Sequence, residues 1–229
     1  MIRDNLNRIR ATMDQAACRA GRDVSTIKLV AVSKYVDPQR IQEAMDCGQL
    51  LFGENYLQEA AEKKPKVDSS TRWHFIGHLQ SNKARQAVAL FDMIETVDRL
   101  KIAKALDQQA KELSKELSVL VQVNIGREPQ KSGVLPKDTQ ALLMDIQRHT
   151  TNLLVQGLMA MPPFSDNPED SRPYFKELVI LAKQLASAGL FQDNEHVELS
   201  MGMSTDFAVA IEEGATIIRV GTALFGERI

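Results

Sequence analysis

Cysteine, aromatic residues and excess charge of either sign are all scarce in this chain, and each scarcity removes a class of function. Only two cysteines, Cys18 and Cys47, occur in 229 residues, and both fall within predicted helices. This argues against a disulfide framework and for a reducing, cytoplasmic setting. Aromatics make up 5% of the chain with a single Trp, too few to stack single-stranded nucleic acid. Lys plus Arg total 28 against 30 Asp plus Glu, so no basic excess marks a nucleic-acid binder. No apolar run reaches the length of a membrane span. The start Met1-Ile2-Arg3-Asp4-Asn5 has no apolar stretch behind its charges and does not read as a signal peptide.

What is present is a repeated strand–helix rhythm. Ile2, Leu6, Ile9, Met13 and Ala16 recur at four- and three-residue steps, predicting an amphipathic helix that ends near Gly21. The run 27–33 follows, mostly apolar and β-branched, as suits a strand buried on both faces. Asp37-Pro38 then reads as the N-cap and first-turn proline of a helix ending before Gly48. The unit recurs with strands over 50–55, 73–77, 93–97, 119–125, 153–159, 197–200 and 216–220. Lys64-Pro65 stops one intervening helix, and Asp98 caps another whose stripe is Ala103, Leu106, Ala110, Leu113 and Leu117. A Pro-rich loop at 161–164 precedes a helix over 173–188, and a short helix covers 204–214. Eight such units with no linker predict an α/β fold, a closed (β/α)8 TIM barrel with an extra N-terminal helix, as one domain over residues 1–229. Such barrels typically run to ~250 residues. The competing open doubly wound sheet more often stops at about five or six strands.

In a barrel of this type, chemistry gathers at the carboxyl ends of the strands, and phosphates often bind after the last two. Lys34 ends the first strand and shares a face with Val30 and Val32. If that face lines the barrel, a desolvated amine sits at its mouth, able to form a Schiff base with an aldehyde or ketone; otherwise Lys34 is a strand-end lysine in solvent. Ser200-Met201-Gly202-Met203-Ser204 offers hydroxyls and free backbone N–H groups that suit a phosphate, although Ser204 alone could be an N-cap and Gly202 a turn. Gly221-Thr222 makes a second such turn on the neighbouring strand, and the pairing favours phosphate. Arg219, inside an apolar strand, needs an acceptor: a ligand, which we favour, or a carboxylate such as Glu198. His74 and His78 bracket a strand rather than a helical turn and read as core or loop histidines, not as a metal pair. A dinucleotide fingerprint, a P-loop and a Ser-centred nucleophile elbow are all missing.

The motifs Ala31-Val32-Ser33-Lys34, Phe52-Gly53-Glu54-Asn55-Tyr56, the block 73–83, Leu199-Ser200-Met201-Gly202-Met203-Ser204 and Ile218-Arg219-Val220-Gly221-Thr222 resemble the YggS/PROSC family of pyridoxal phosphate homeostasis proteins. The resemblance implies a barrel like the N-terminal domain of alanine racemase that holds pyridoxal 5′-phosphate (PLP) as a Schiff base on Lys34. It further implies Ser200, Met201, Gly202, Ser204, Gly221 and Thr222 around the cofactor and its phosphate, Arg219 facing the pyridine nitrogen, and Asn55 beside the ring. Lys131, in Lys131-Ser132-Gly133, falls on a mobile-loop lysine that takes up PLP secondarily. The family regulates PLP supply, with no established turnover.

An always-cationic arginine at the pyridine nitrogen disfavours its protonation and weakens the ring as an electron sink. Related racemases add a second acid/base from a further domain, whereas this sequence ends at Ile229. The expectation is therefore an exposed cofactor on a non-catalytic carrier or regulator, with PLP and apo PLP-dependent enzymes as partners and neither nucleic acid nor membrane, and the charged outer helix stripes point to a monomer. A small PLP-dependent amino-acid racemase is the first alternative. A Schiff-base aldolase acting on phosphosugars is the second.

Overall fold

Eight parallel strands close on themselves in chain order: β1 (Lys28–Val32), β2 (Leu51–Glu54), β3 (Arg72–Phe75), β4 (Met93–Val97), β5 (Leu117–Val123), β6 (Leu153–Ala160), β7 (Glu198–Ser200) and β8 (Ile217–Val220). The computed structural model describes residues 1–226; the end of the predicted domain, 227–229, lies outside the described residues. Outside the barrel run α1 (Ile2–Arg19), α2 (Pro38–Met45), α3 (Leu57–Lys63), α4 (Ala84–Leu90), α5 (Leu100–Glu112), α6 (Thr139–His149), α7 (Arg172–Ser187), α8 (Phe207–Glu213) and α9 (Thr222–Phe225). Among the described residues no helix is long and apolar enough to cross a membrane.

Strand alternation sorts the core into two layers. Val30, Met93, Leu120, Met159 and Ile217 point inward and pack on one another inside the barrel. Their neighbours along the strands, such as Ala31, Phe52, Phe75, Ile94 and Ile218, face the helices and join the larger outer core. α1 is the extra helix and packs against α2, α8 and α9. It is tied to the C-terminal segment by Asn5 Nδ2 donating to the Leu224 carbonyl at 2.8 Å.

Three local expectations differ. Asp98 does not cap α5: the N-cap is Arg99, and Asp98 instead pairs with the Arg99 guanidinium at 2.5 Å. The α5 stripe ends at Ala110, because Ser114 turns left-handed (φ 51°) and Lys115 N–H bonds back to Ala110 O at 2.9 Å, a Schellman stop that leaves Leu117 to open β5. The helix expected from Ser204 starts at Phe207, since Asp206 reaches back to accept Met203 N–H at 2.7 Å and Ser171 Oγ–H at 2.8 Å. By contrast, Asp37 caps α2 as expected, accepting Gln39 N–H at 2.8 Å, with Pro38 in the first turn.

Candidate cofactor-binding site

Lys34 lies two residues beyond the end of β1, in the turn that leads to α2. It is half-buried and makes no hydrogen bond or ion pair among the described residues. Its side chain lines a cavity of about 300 Å³ shared with Asp37, Arg40, Gly221, Thr222 and Phe225. β1 pairs with β8 in the ladder, Ala31 opposite Val220. The amine and the Gly221–Thr222 turn therefore project from neighbouring strand ends. Arg40 reaches into this wall from α2, donating to the Phe225 carbonyl with its guanidinium 5.9 Å from the Phe225 ring centroid.

The two phosphate-type turns meet. Ser204 Oγ accepts the backbone N–H groups of Gly221 and Ala223, each at 3.3 Å. Arg219 N–H donates to Gly202 O at 3.0 Å, locking the β7 turn onto β8. Gly202 has φ 91°, and a Cβ there would stand 2.5 Å from Ala210 Cβ, so both conformation and space require glycine. Met201 is buried in the outer core, away from the cavity. Ser200 is fully buried as well, with its hydroxyl already engaged as a link between Arg219 and Glu95.

That link belongs to a chain of polar groups across the barrel interior. Arg219 Nη1 donates to Ser200 Oγ at 2.5 Å and Nη2 to Ala160 O at 3.0 Å. Ser200 Oγ donates to Glu95 Oε2 at 2.5 Å, and His74 Nδ1 lies 2.6 Å from Glu95 Oε1. Burial pulls the Arg219 guanidinium below its ordinary value, against the opposing charges of Glu95 and Asp206. Burial alone would push Glu95 up, but the His74 contact, the Arg219 charge and the Ser200 hydroxyl outweigh it and hold the carboxyl below its usual range. The carboxylate partner of Arg219 is thus Glu95, 3.8 Å away, and not Glu198. Glu198 lies at the entry end of β7, where it pairs with Lys28 and accepts Thr216 Oγ1–H at 2.6 Å.

The remaining candidates do not line the Lys34 cavity. Asn55 lines a separate hollow of about 180 Å³ with Tyr56, Gln58, His78 and Lys83. A Cβ at Gly77 would fall 2.0 Å from Asn55 O, so the loop after β3 packs directly on this residue. Lys131 donates to Pro162 O at 3.0 Å and pairs with Glu128. His78 Nδ1 is 3.2 Å from Ser132 Oγ. His74 is the core histidine and His78 the loop one.

The chain matches the family described as alanine racemase, N-terminal domain, over residues 2–229. It is 41% identical over 229 residues to a pyridoxal phosphate homeostasis protein of Aquifex aeolicus (strain VF5), covering 98% of this chain and 97% of that one. The chain belongs to this family. The homonymous protein of Escherichia coli (strain K12) is 40% identical over 234 residues, with 99% and 97% covered. The structure of PipY from Synechococcus elongatus PCC7942 with PLP bound superposes with a TM-score of 0.86 at 35% identity, covering 99% of this chain and all 100% of that one.

Sequence reasoning passed over Arg40, Glu95 and Glu54. Glu54 and Glu95 each sit inside an apolar strand, the same signal that singled out Arg219, and both prove fully buried. Arg40 carried no such signal: a lone arginine on a helix's polar face looks merely solvated.

Proposed function

We propose that this barrel takes up PLP reversibly on Lys34 and serves as a carrier or regulator of the cofactor rather than as a catalyst. The observation that carries this is a half-buried amine with no partner among the described residues, on the wall of a cavity shared with a glycine–hydroxyl turn and a guanidinium. The cavity lies at the lower end of the ~300–1,000 Å³ range of small-molecule sites. Its donor set of one amine, one threonine hydroxyl and one arginine suits an aldehyde with an anionic tail. When bound, PLP supplies an aldehyde that condenses with an amine with loss of water, and an electron-withdrawing ring. Lys34 would provide that amine, while Thr222, the Gly221 turn braced by Ser204, and Arg40 would hold the phosphate. Were Arg219 to face the ring nitrogen, as the resemblance implies, its guanidinium would oppose protonation there, which disfavours turnover at an amino acid's α-carbon. The relatives' name, homeostasis protein, supports the same reading.

The racemase alternative has one observation in its favour, because Tyr35, whose hydroxyl donates to the Tyr56 hydroxyl at 2.9 Å, lines the same cavity and brings a phenol to its wall. The deciding measurement is the absorption spectrum of the purified protein. A visible band should be present with PLP, should be largely lost in Lys34→Ala, and should bleach when excess PLP-dependent apo-enzyme is added. Equal occupancy in a Lys34→Ala/Lys131→Ala double variant would overturn the assignment. Mirror-image product from single-enantiomer alanine, in proportion to protein, would favour the racemase.

A further inference from the structure

The corner that carries Lys34 is clamped by a buried ion cluster on the far side of its backbone. Val36 N–H closes a four-residue turn on Ser33 O at 2.9 Å, with Lys34 and Tyr35 at the two central positions. Tyr35 has φ 61°, the left-handed third position that type II turns normally fill with glycine or asparagine. An L side chain there is strained, and such strain persists only where the surroundings over-determine it.

The Tyr35 side chain is held by Tyr56, its hydroxyl donating to the Tyr56 hydroxyl at 2.9 Å, and the backbone is held on each side of Lys34. Before it, Lys63 Nζ donates to Ser33 O at 2.7 Å. After it, Tyr35 N–H donates to Glu59 Oε2 at 2.8 Å. Lys63 joins the two by donating to Glu59 Oε2 at 2.6 Å and to Glu54 Oε1 at 2.7 Å. Glu54 in turn accepts Ser33 Oγ–H at 2.8 Å. Ser33, Glu54 and Lys63 are all buried. Burial pushes the Glu54 carboxyl up, against the hydrogen bonds and charge of Lys63 and the Ser33 hydroxyl. A buried ion cluster of this kind is a weak way to stabilise a fold, since well-packed apolar residues often do as well. Its contacts fall instead on the two peptide groups that flank the reactive amine.

We infer that Lys63, Glu59 and Glu54 are positioning residues for Lys34, holding the Ser33–Val36 turn in the form that directs the amine into the cavity. The inference rests on Lys34 being the PLP-binding amine.

The test uses Glu59→Ala, which removes the Tyr35 N–H acceptor at a half-buried site, and Lys63→Met combined with Glu54→Gln, which removes the buried ion pair and leaves only the half-buried Glu59 carboxylate without its lysine. Two quantities are read: hydrogen exchange of the Val36 amide without cofactor, and the PLP dissociation constant by absorbance titration. The clamp predicts roughly tenfold faster exchange and roughly tenfold weaker binding in both variants, with Ile218 exchange unchanged. Glu59→Gln, which keeps an acceptor for Tyr35 N–H, should recover most of the loss. If the Lys63 variant does not fold, Glu59→Ala decides alone. Unchanged Val36 exchange or unchanged affinity in a folded variant overturns the positioning role while Lys34→Ala still abolishes the band. Persistence of the band in Lys34→Ala overturns the Lys34 assignment and this inference with it.

Discussion

Glu95→Gln removes one charge from the centre of the barrel and keeps the side chain's shape. Arg219 and Glu95 stand 3.8 Å apart with their side chains 3% and 0% exposed. At an effective dielectric of ~20, unit charges at that separation attract by about 4 kcal/mol. Glutamine also offers one acceptor where the carboxylate offers two, so either Ser200 Oγ–H or His74 Nδ1 faces an amide N–H instead of an oxygen. An orphaned buried group of that kind costs about 1–3 kcal/mol. Breaking a buried pair from one side is accordingly expected to cost about 3–5 kcal/mol. Arg219→Met should cost a similar amount by leaving the carboxylate without its cation. The double variant removes both charges, so its cost should fall short of the sum by about 2 kcal/mol or more. Urea unfolding at pH 7 with a shared slope measures all three. Additivity within about 0.5 kcal/mol would refute the coupling and leave the polar chain as a set of unrelated contacts. A pH series adds an independent check. Because the folded Glu95 carboxyl is held below its usual value, its contribution is present above the unfolded pKa and is lost as pH falls through the folded one. The stability gap between the parent and Glu95→Gln should therefore narrow on acidification below the usual glutamate range.

Two further outcomes follow from the same geometry. Gly21 (φ 64°) has nothing within 4 Å of an added Cβ, whereas Gly202 (φ 91°) has Ala210 Cβ at 2.5 Å and Phe207 Cα at 3.0 Å. Gly21→Ala should cost about 1–2 kcal/mol from conformation alone, and Gly202→Ala about 1–3 kcal/mol more from overpacking; equal urea midpoints would deny the steric part. Arg40→Gln should weaken PLP binding by roughly tenfold through loss of a charge-assisted contact, read by absorbance titration, and unchanged affinity would reduce Arg40 to an anchor for the Phe225 carbonyl.

The barrel was legible because each strand is a short apolar run bounded by turn residues, and because eight such runs alternate with amphipathic helices. What escaped was set by contacts invisible to local pattern. The end of α5 depends on one left-handed serine and a backbone bond from Lys115, and the four residues of α9 are too few to show a period. In the site, Lys34 lies past the end of β1 in the Ser33–Val36 turn, where strand alternation no longer sets a side chain's direction, while the misfit of Arg219 among isoleucines was enough to mark it as partnered. Its partner could not be read. Glu95 lies on β4, opposite in the barrel and far away in sequence, whereas Glu198 is close in the chain but at the wrong end of its strand. The strained Tyr35 was equally hidden, since a tyrosine after a strand gives no sign of a left-handed turn.

Barrel closure itself creates the candidate site. Lys34 follows the first strand and Gly221–Thr222 the last, and in an open sheet of the same chain order these would stand at opposite edges. Closure makes β1 and β8 direct neighbours, with Lys28 to Ala31 paired to Ile217 to Val220, so the ladder spaces the amine from the turn without any loop having to move. Beneath them the interior is filled by Met93, Leu120 and Met159 and by the chain from His74 to Arg219, which keeps a ligand at the rim. Tyr35, 62% exposed, forms the outer wall there. A filled interior beneath and a ladder-set spacing from amine to turn are the features that the proposed reversible uptake of PLP would use.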